Sequence, residues 1–525
     1  MVAKNNVLMK QETAKSLVWL VFILFVVVVT RSAWVGDDAY ITLRTVDNLY
    51  NGHGLTWNPD ERVQTFTHPL WVIVISLVYF VFTNPYFTMV FLSISLSALT
   101  VYLLLTKISN SSTNSIISIM FLICSKAYID YSTSGLENPL SHLLFALFII
   151  FLFKHSEYNK HQIFCISFIS SLLVLNRMDN FLLIFPALVI ILYRNFSKQT
   201  LLLMILGFLP FILWELFSIG YYGFLLPNTA YAKLNTEIPK FSLYKQGILY
   251  YLYTLGRDPS TLIILSCGFA LSFISKDWRK ISLVFGIFLY MIYIVRIGGD
   301  FMAGRFLSTS VFGAAALIAN SNFDLRRNNM FLAALFFILY IMTPYPPISY
   351  NYRDSFDMVN EQIYNGIADE RLFYFPDTGL LTISRNEPIT KIKWSQQGIS
   401  AKEKGESIIP IAAAGFFGYY AGDEIHIVDY YALCDPLLSK LPAELIVDQE
   451  EWRIGHYYRN IPDGYLETLE TGENLIVDKN LAKYYEKLSI VIKGNIFEPG
   501  RLTEIWRLNT GYYDNLIDGY VQNLQ

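Results

Sequence analysis

Charge is what this chain has little of. Asp, Glu, Lys and Arg make up 16% of its 525 residues, against about a quarter in an ordinary soluble domain. With 54% hydrophobic residues and a mean hydropathy of +0.38, that shortage points to a polytopic membrane protein. Cysteine is also scarce. Of Cys124, Cys165, Cys267 and Cys434, three lie in apolar runs, and their spacing fits neither a disulfide framework nor a zinc site. There is no surplus of positive charge: the formal net charge is -3, which excludes a broad nucleic-acid footprint. No P-loop, zinc spacing or nucleophile elbow occurs. The AAAGFFGYYAG stretch lacks the GxGxxG pattern, so no nucleotide is assigned. No internal repeat is visible.

What is present is aromatic and apolar. Phe, Trp and Tyr reach 16%, as interface belts and sugar-stacking surfaces require. Lys4, Lys10 and Lys15 precede a first apolar run at 16–30 with no small-residue cleavage site after it. That pattern reads as a signal anchor with a cytoplasmic basic tail. Further runs fall near 70–82, 86–106, 114–124, 139–153, 161–175, 181–193, 200–219, 260–275, 279–296, 305–320 and 329–343. They predict about eleven or twelve transmembrane helices. Lys154, Lys160, Arg194, Lys198, Lys276, Arg279 and Lys280 mark cytoplasmic turns. The expected organisation is a multi-spanning domain over 1–343, with a first outer loop at 31–69, and a C-terminal soluble α/β domain over 344–525. Within the latter, ESIIPIAAAG reads as a strand, then a short helix through Tyr420, then the strand EIHIVDYY. ENLIVDKN and LSIVIKGN read as later strands around a helix at Leu481–Lys487.

The chain is organised around residues 36–70, GDDAYITLRTVDNLYNGHGLTWNPDERVQTFTHPL, between the first two apolar runs. Asp37 and Asp38 stand side by side a few residues from lipid, with Arg44, His53 and His68 behind them. Ionisable groups at a membrane face are costly unless a site or water accounts for them. Adjacent carboxylates repel, so one is poised to hold a proton near neutrality. The plainer alternative is that Asp37 caps a helix starting near Ala39, with Asp38 in its first turn.

Four later turns concentrate the remaining charge. GGDFMAGRF (298–306) places Asp300 and Arg305 at a span end, a phosphate clamp with an orienting carboxylate or an intramembrane ion pair closing a turn. GLENP (135–139) and NRMD (176–179) offer Glu137 for a sugar hydroxyl or cation and Arg177 for a phosphate; Asn138 and Asn176 could equally cap helices. LPNTAYAK (226–233) offers Asn228 and Thr229 as hydrogen-bonding groups and Lys233 as a point charge for phosphate or a snorkelling lysine. VDYYALCDP (428–436) and GHYYRNIPDGY (455–465) bring Asp429, Asp435, His456 and Arg459 among tyrosines, a surface suited to carbohydrate.

In this order, DDAYITLR, NGHGLTWNP, ERVQTFTHPLW, GLENP, NRMD, LPNTAYAK, GGDFMAGRF, VDYYALCDP and GHYYRNIPDGY resemble the mycobacterial terminal β-(1→2) arabinofuranosyltransferases and their proteobacterial relatives, among them the LphB-type proteins of Legionella. These belong to the GT-C glycosyltransferase superfamily. The resemblance spans about residues 30–465. It implies a GT-C fold in the bacterial inner membrane, a polyprenyl-phosphate sugar as donor, and a cell-envelope glycan, glycolipid or lipopolysaccharide acceptor. It also implies an active site at the periplasmic face and a base at Asp37 or Asp38. Met178 departs from the Arg-Pro-Asp sequence common in relatives. Sugar identity does not carry over.

The expected chemistry follows. Asp37 or Asp38 deprotonates an acceptor hydroxyl, which displaces polyprenyl phosphate with inversion. General-base help of this kind contributes about 10²–10⁴-fold. Arg305, Lys233, Arg177, Arg44 and Asp300 form the donor and phosphate set. His53, His68, Glu137, Asn228, Asp429 and His456 form the sugar and acceptor set. No cofactor is assigned, and a divalent cation stays open. Two rival readings are a flippase or transporter of lipid-linked glycan and an O-antigen polymerase or ligase. A transporter predicts charge at mid-membrane depth and related halves; here charge gathers at span ends.

Overall fold

The computed structural model describes residues 2–154, 158–236, 238–322, 336, 338–348, 364–383, 389, 391–444 and 453–524. Most of the apolar run 329–343 and the end of PYPPISY (344–350) lie outside them. The chain packs as two compact units built from discontinuous pieces: Met1–Gly36, Tyr86–Pro210 and Lys240–Ile383 in one, Asp37–Pro85, Phe211–Pro239 and Ser384–Gln525 in the other.

The first unit is helical. Its helices fall on the apolar runs: Pro85–Leu103, Ser112–Cys124, Asn138–Phe153, Lys160–Asn176, Phe181–Arg194, Pro259–Ser275, Trp278–Ile297 and Leu307–Ala319. Leu307–Ala319 is buried along its whole length, its many small Ser, Thr, Gly and Ala side chains suiting a helix enclosed by others. Small residues allow close helix approach. A Cβ on Gly286 would stand 2.0 Å from the Leu183 carbonyl oxygen. Helix Lys240–Arg257 was not foreseen, because lysines and tyrosines interrupt its apolar face. It bends by 103° into Pro259–Ser275.

Among the described residues, Pro85–Ile108 and Trp278–Ile297 are long and apolar enough to cross a membrane. The count rises to 4 if two bent helix pairs are each one span. Five further apolar helices are 10–17 residues long.

The second unit joins helix Asp37–Tyr50 and the apolar helix Pro69–Phe82 to the C-terminal third. Strands Ile408–Ile411 and His426–Asp429 pair in parallel, from Ile408 opposite His426 to Ile411 opposite Asp429. The helix between them runs over Ala414–Ala421. Successive strand residues face opposite sides, and the packing follows. Ile427 joins Ile41, Trp57, Ala401, Phe417 and Ala421, while Val428 joins Ala232, Leu438, Tyr465, Leu481 and Leu488.

Two expected strands are not strands. ENLIVDKN is irregular up to Asp478, whose carboxylate accepts the N–H groups of Asn480 and Leu481 and caps a helix. That helix, Lys479–Ile492, carries the chain through LSIVI. Buried Leu481, Tyr484, Tyr485, Leu488, Val491 and Ile492 recur at helical spacing. This period outweighs the local β-branched preference.

Candidate active site

In the second unit, acidic residues in a first turn favour a helix N-terminus, and helix Asp37–Tyr50 begins with two. The Asp37 carboxylate also serves a second helix. It accepts the N–H groups of Gly415 at 3.1 Å and Phe416 at 2.6 Å. These are first-turn donors of Ala414–Ala421, whose own N-cap residue, Ala413, supplies no side-chain cap. Gly415 permits the approach, since a Cβ there would lie 2.0 Å from the Asp37 carbonyl oxygen. Burial pushes the Asp37 carboxyl up to about 7; the Phe416 and Gly415 N–H groups oppose the shift and the charge of Asp38 adds to it. Asp38 is half-buried beside it.

Arg44, two helical turns on, is bound by backbone. It donates to the carbonyls of Trp57 (2.9 Å), Gly422 (2.6 Å), Ile425 (2.8 Å) and Gly418. Its guanidinium lies 4.8 Å from the Trp57 ring centroid. His53 meets Asp423 at 2.8 Å near the surface. His68 shares a buried 2.8 Å hydrogen bond with the Thr42 hydroxyl.

The later motifs of this unit converge. Asn228 donates to the carbonyls of Ala432, Leu433 and Asp435 and accepts from the Ser439 hydroxyl. Asp429 accepts the N–H groups of Tyr431, Leu433 and Cys434, and burial pushes it up to about 7. Arg459 donates to the carbonyls of Tyr457 (2.6 Å) and Ala232 (2.7 Å). The His456 ring stands edge-on to Tyr431 at 4.8 Å. Burial, then the charges of Arg453 and Lys233, push His456 down to about 3. Lys233 is exposed.

One cluster here was not singled out from the sequence. Asp60 bonds His426 at 2.9 Å and Lys493 at 3.1 Å, and His426 lies 3.9 Å from buried Glu61. Its members come from three distant stretches, and nothing local announces the meeting.

In the first unit, three motifs meet around Glu137, which is fully buried. Arg177 reaches it at 2.6 Å and grips Asp179 at 2.9 and 2.5 Å. Arg305 reaches Glu137 at 3.2 Å and lies 4.0 Å from Asp300. Asn176 donates to the Glu137 carbonyl, and Asn138 to the Ser308 hydroxyl. Arg177 also lies 4.9 Å from the Phe306 ring centroid. Its short bonds make Arg177 a brace. A second buried network joins Lys126 to Asp130 and Asp369, and Arg371 to Asp130 at 2.6 Å. Its only signal in sequence is the i,i+4 pair Lys126–Asp130. Among the described residues, no group of three or more His, Cys, Asp or Glu is placed to hold a metal ion.

No family model matches the chain. The terminal β-(1→2)-arabinofuranosyltransferase of Mycobacterium tuberculosis is 27% identical to it over 520 residues, 82% of this chain and 81% of the relative. That of Corynebacterium glutamicum is 25% identical over 335 residues, 53% of this chain and 46% of the relative. Among solved structures, ArnT from Cupriavidus metallidurans bound to undecaprenyl phosphate matches 78% of this chain and 85% of its own, with a TM-score of 0.46 at 9% identity. The Archaeoglobus fulgidus oligosaccharyltransferase in the apo form matches 79% and 64%, with a TM-score of 0.45 at 12% identity. The ordered motifs and the similarity to two curated enzymes agree: the chain is similar to the terminal β-(1→2)-arabinofuranosyltransferases along most of its length, which supports a glycosyltransferase.

Proposed function

We propose that the chain transfers a sugar from a polyprenyl-phosphate donor to a cell-envelope glycan or glycolipid at the extracytoplasmic face of the membrane, with inversion at the anomeric carbon. The observation that carries this reading is the similarity along four-fifths of the chain to an arabinofuranosyltransferase. In the scheme, the Asp37–Asp38 pair takes the proton from the acceptor hydroxyl as its oxygen attacks the anomeric carbon. The sugar–phosphate bond breaks, and polyprenyl phosphate leaves with the electron pair. A carboxyl near 7 is matched to work as a base at neutral pH. Two backbone N–H groups fix where it points, the preorganisation such a base needs.

Charge on the leaving phosphate is assigned to Lys233, in the same unit as Asp37 and Asp38; Arg305 stays a proposed phosphate-binding group of the first unit. Arg177 stays on Glu137 and Asp179 and acts by holding the cluster in place. Arg44 and Asn228 act likewise, because their donors are spent on backbone carbonyls. Asp300 orients Arg305. His53, His68, Asp429 and His456 remain proposed acceptor-side groups. A divalent cation is not needed by the scheme.

A panel of synthetic polyprenyl-phosphate sugars, each offered with a glycan acceptor to the purified protein in nanodiscs, tests the donor. NMR of the product reads the anomeric configuration. The proposal expects one favoured donor and an inverted linkage. Retention would point to a covalent intermediate and remove the single-base scheme.

A further inference from the structure

The C-terminal segment, read from sequence as part of a soluble domain, carries an apolar face that packing leaves open. Helix Arg501–Asn509 buries Arg501 and Ile505. Leu502 and Trp506, four residues apart and hence on one face, are 71% and 64% exposed. Phe497 just before the helix is 92% exposed and Tyr512 just after it 62%. Large apolar groups clustered in the open mark an interaction surface.

The anchoring of this helix indicates what covers it. Arg501 donates to the carbonyls of Gly220 at 2.6 Å and Tyr221 at 2.9 Å, and Asn509 to that of Gly223 at 2.7 Å. Gly220 and Tyr221 end the helix Leu209–Tyr221, whose last carbonyls have no partner within it. That helix is one arm of a bent pair apolar enough to span a membrane. Ile212, Leu213, Leu216 and Phe217 along it are exposed, as lipid-facing residues are. The terminal helix is therefore pinned to the point where an apolar span ends, which is where a bilayer passes into water.

We propose that Arg501–Asn509 is an interfacial helix, with Leu502, Trp506 and the adjoining Phe497 seated in the headgroup–acyl boundary of the bilayer. Tryptophan suits that depth, pairing an apolar ring with an N–H that meets water and headgroups. The helix thereby ties the C-terminal third to the membrane at a second point. The proposal rests on the membrane reading of the apolar helices and not on sugar transfer.

The test places the photo-crosslinker p-benzoylphenylalanine at Leu502, Trp506 or Glu486 of the full chain in phosphatidylethanolamine–phosphatidylglycerol nanodiscs. Glu486 is an exposed position on helix Lys479–Ile492. After irradiation, mass spectrometry is expected to find lipid adducts at 502 and 506 and none at 486. Absence of lipid at 506, or crosslinking there to a second copy of the chain, would overturn the proposal. Quenching of intrinsic fluorescence by brominated acyl chains reads the same contact without a label. The quenched fraction should fall in Trp506→Phe; an unchanged fraction would also overturn it.

Discussion

Burial and the neighbouring Asp38 push the Asp37 carboxyl up to about 7, while the N–H groups of Phe416 and Gly415 pull the other way. A base must be unprotonated to work. Transfer should therefore rise with pH through about 7 as Asp37 gives up its proton, then level off. A pH profile of kcat/KM checks this, and a wild-type profile flat across that range would contradict the assignment. Asp37→Asn should abolish the rise. It should also cost about 1 kcal/mol of stability, since the amide supplies only one acceptor where two N–H groups are capped. Asp38→Asn removes a charge that raises Asp37 and should move the rise to lower pH. At Glu137 the expectation is harsher. Removing its charge leaves Arg177 and the buried Arg305 short of a partner, and breaking a buried pair costs about 3–5 kcal/mol. Glu137→Gln should unfold markedly earlier in thermal melts than Arg305→Lys, which keeps the cation.

Helix Ala414–Ala421 approaches Asp37 through a glycine, and Gly415→Ala puts a methyl group where no space exists. The variant should lose the cap and its packing against Tyr40, whose ring lies 4.6 Å from that of Phe416. Reduced protection of the 414–421 amides in hydrogen exchange would show it. Helix Lys479–Ile492 gives a second test at this scale. Ser489→Pro removes a donor inside this helix and should lower the melting temperature, at a cost of about 3 kcal/mol. The two readings of this stretch show what sequence carries. Its β-branched Ile490, Val491 and Ile492 suggest a strand, and only the longer register from Leu481 reveals the helix. The site was legible in part. Glu137, Arg177, Asp300 and Arg305 stood out because charge at the ends of apolar runs has to be accounted for. That all four converge was not visible, since their motifs lie far apart in sequence. Nor could sequence show that Arg44 and Asn228 spend their donors on backbone carbonyls contributed by residues 418–435.

For the molecule as a whole, sequence placed a boundary at 343/344 by the change from apolar to mixed composition. Packing groups the chain otherwise, because residues 37–85 and 211–239 associate with the C-terminal third. Both apolar cores of that unit take residues from those stretches: Ile41 and Trp57 in one, Ala232 in the other. An isolated 384–525 fragment should accordingly lack cooperative unfolding by circular dichroism, while the intact chain retains it. Charge collected at helix ends, together with similarity along most of the length to sugar-transferring enzymes, gives the molecule its proposed task. The measurement that bears on it most directly is transfer of labelled sugar from polyprenyl-phosphate donors by the purified chain in nanodiscs, with Asp37→Asn and Asp38→Asn in parallel. The account predicts product from the wild type and its loss in at least one variant that still binds donor. Wild-type transfer surviving in both variants, or no transfer from any donor despite binding, would contradict it.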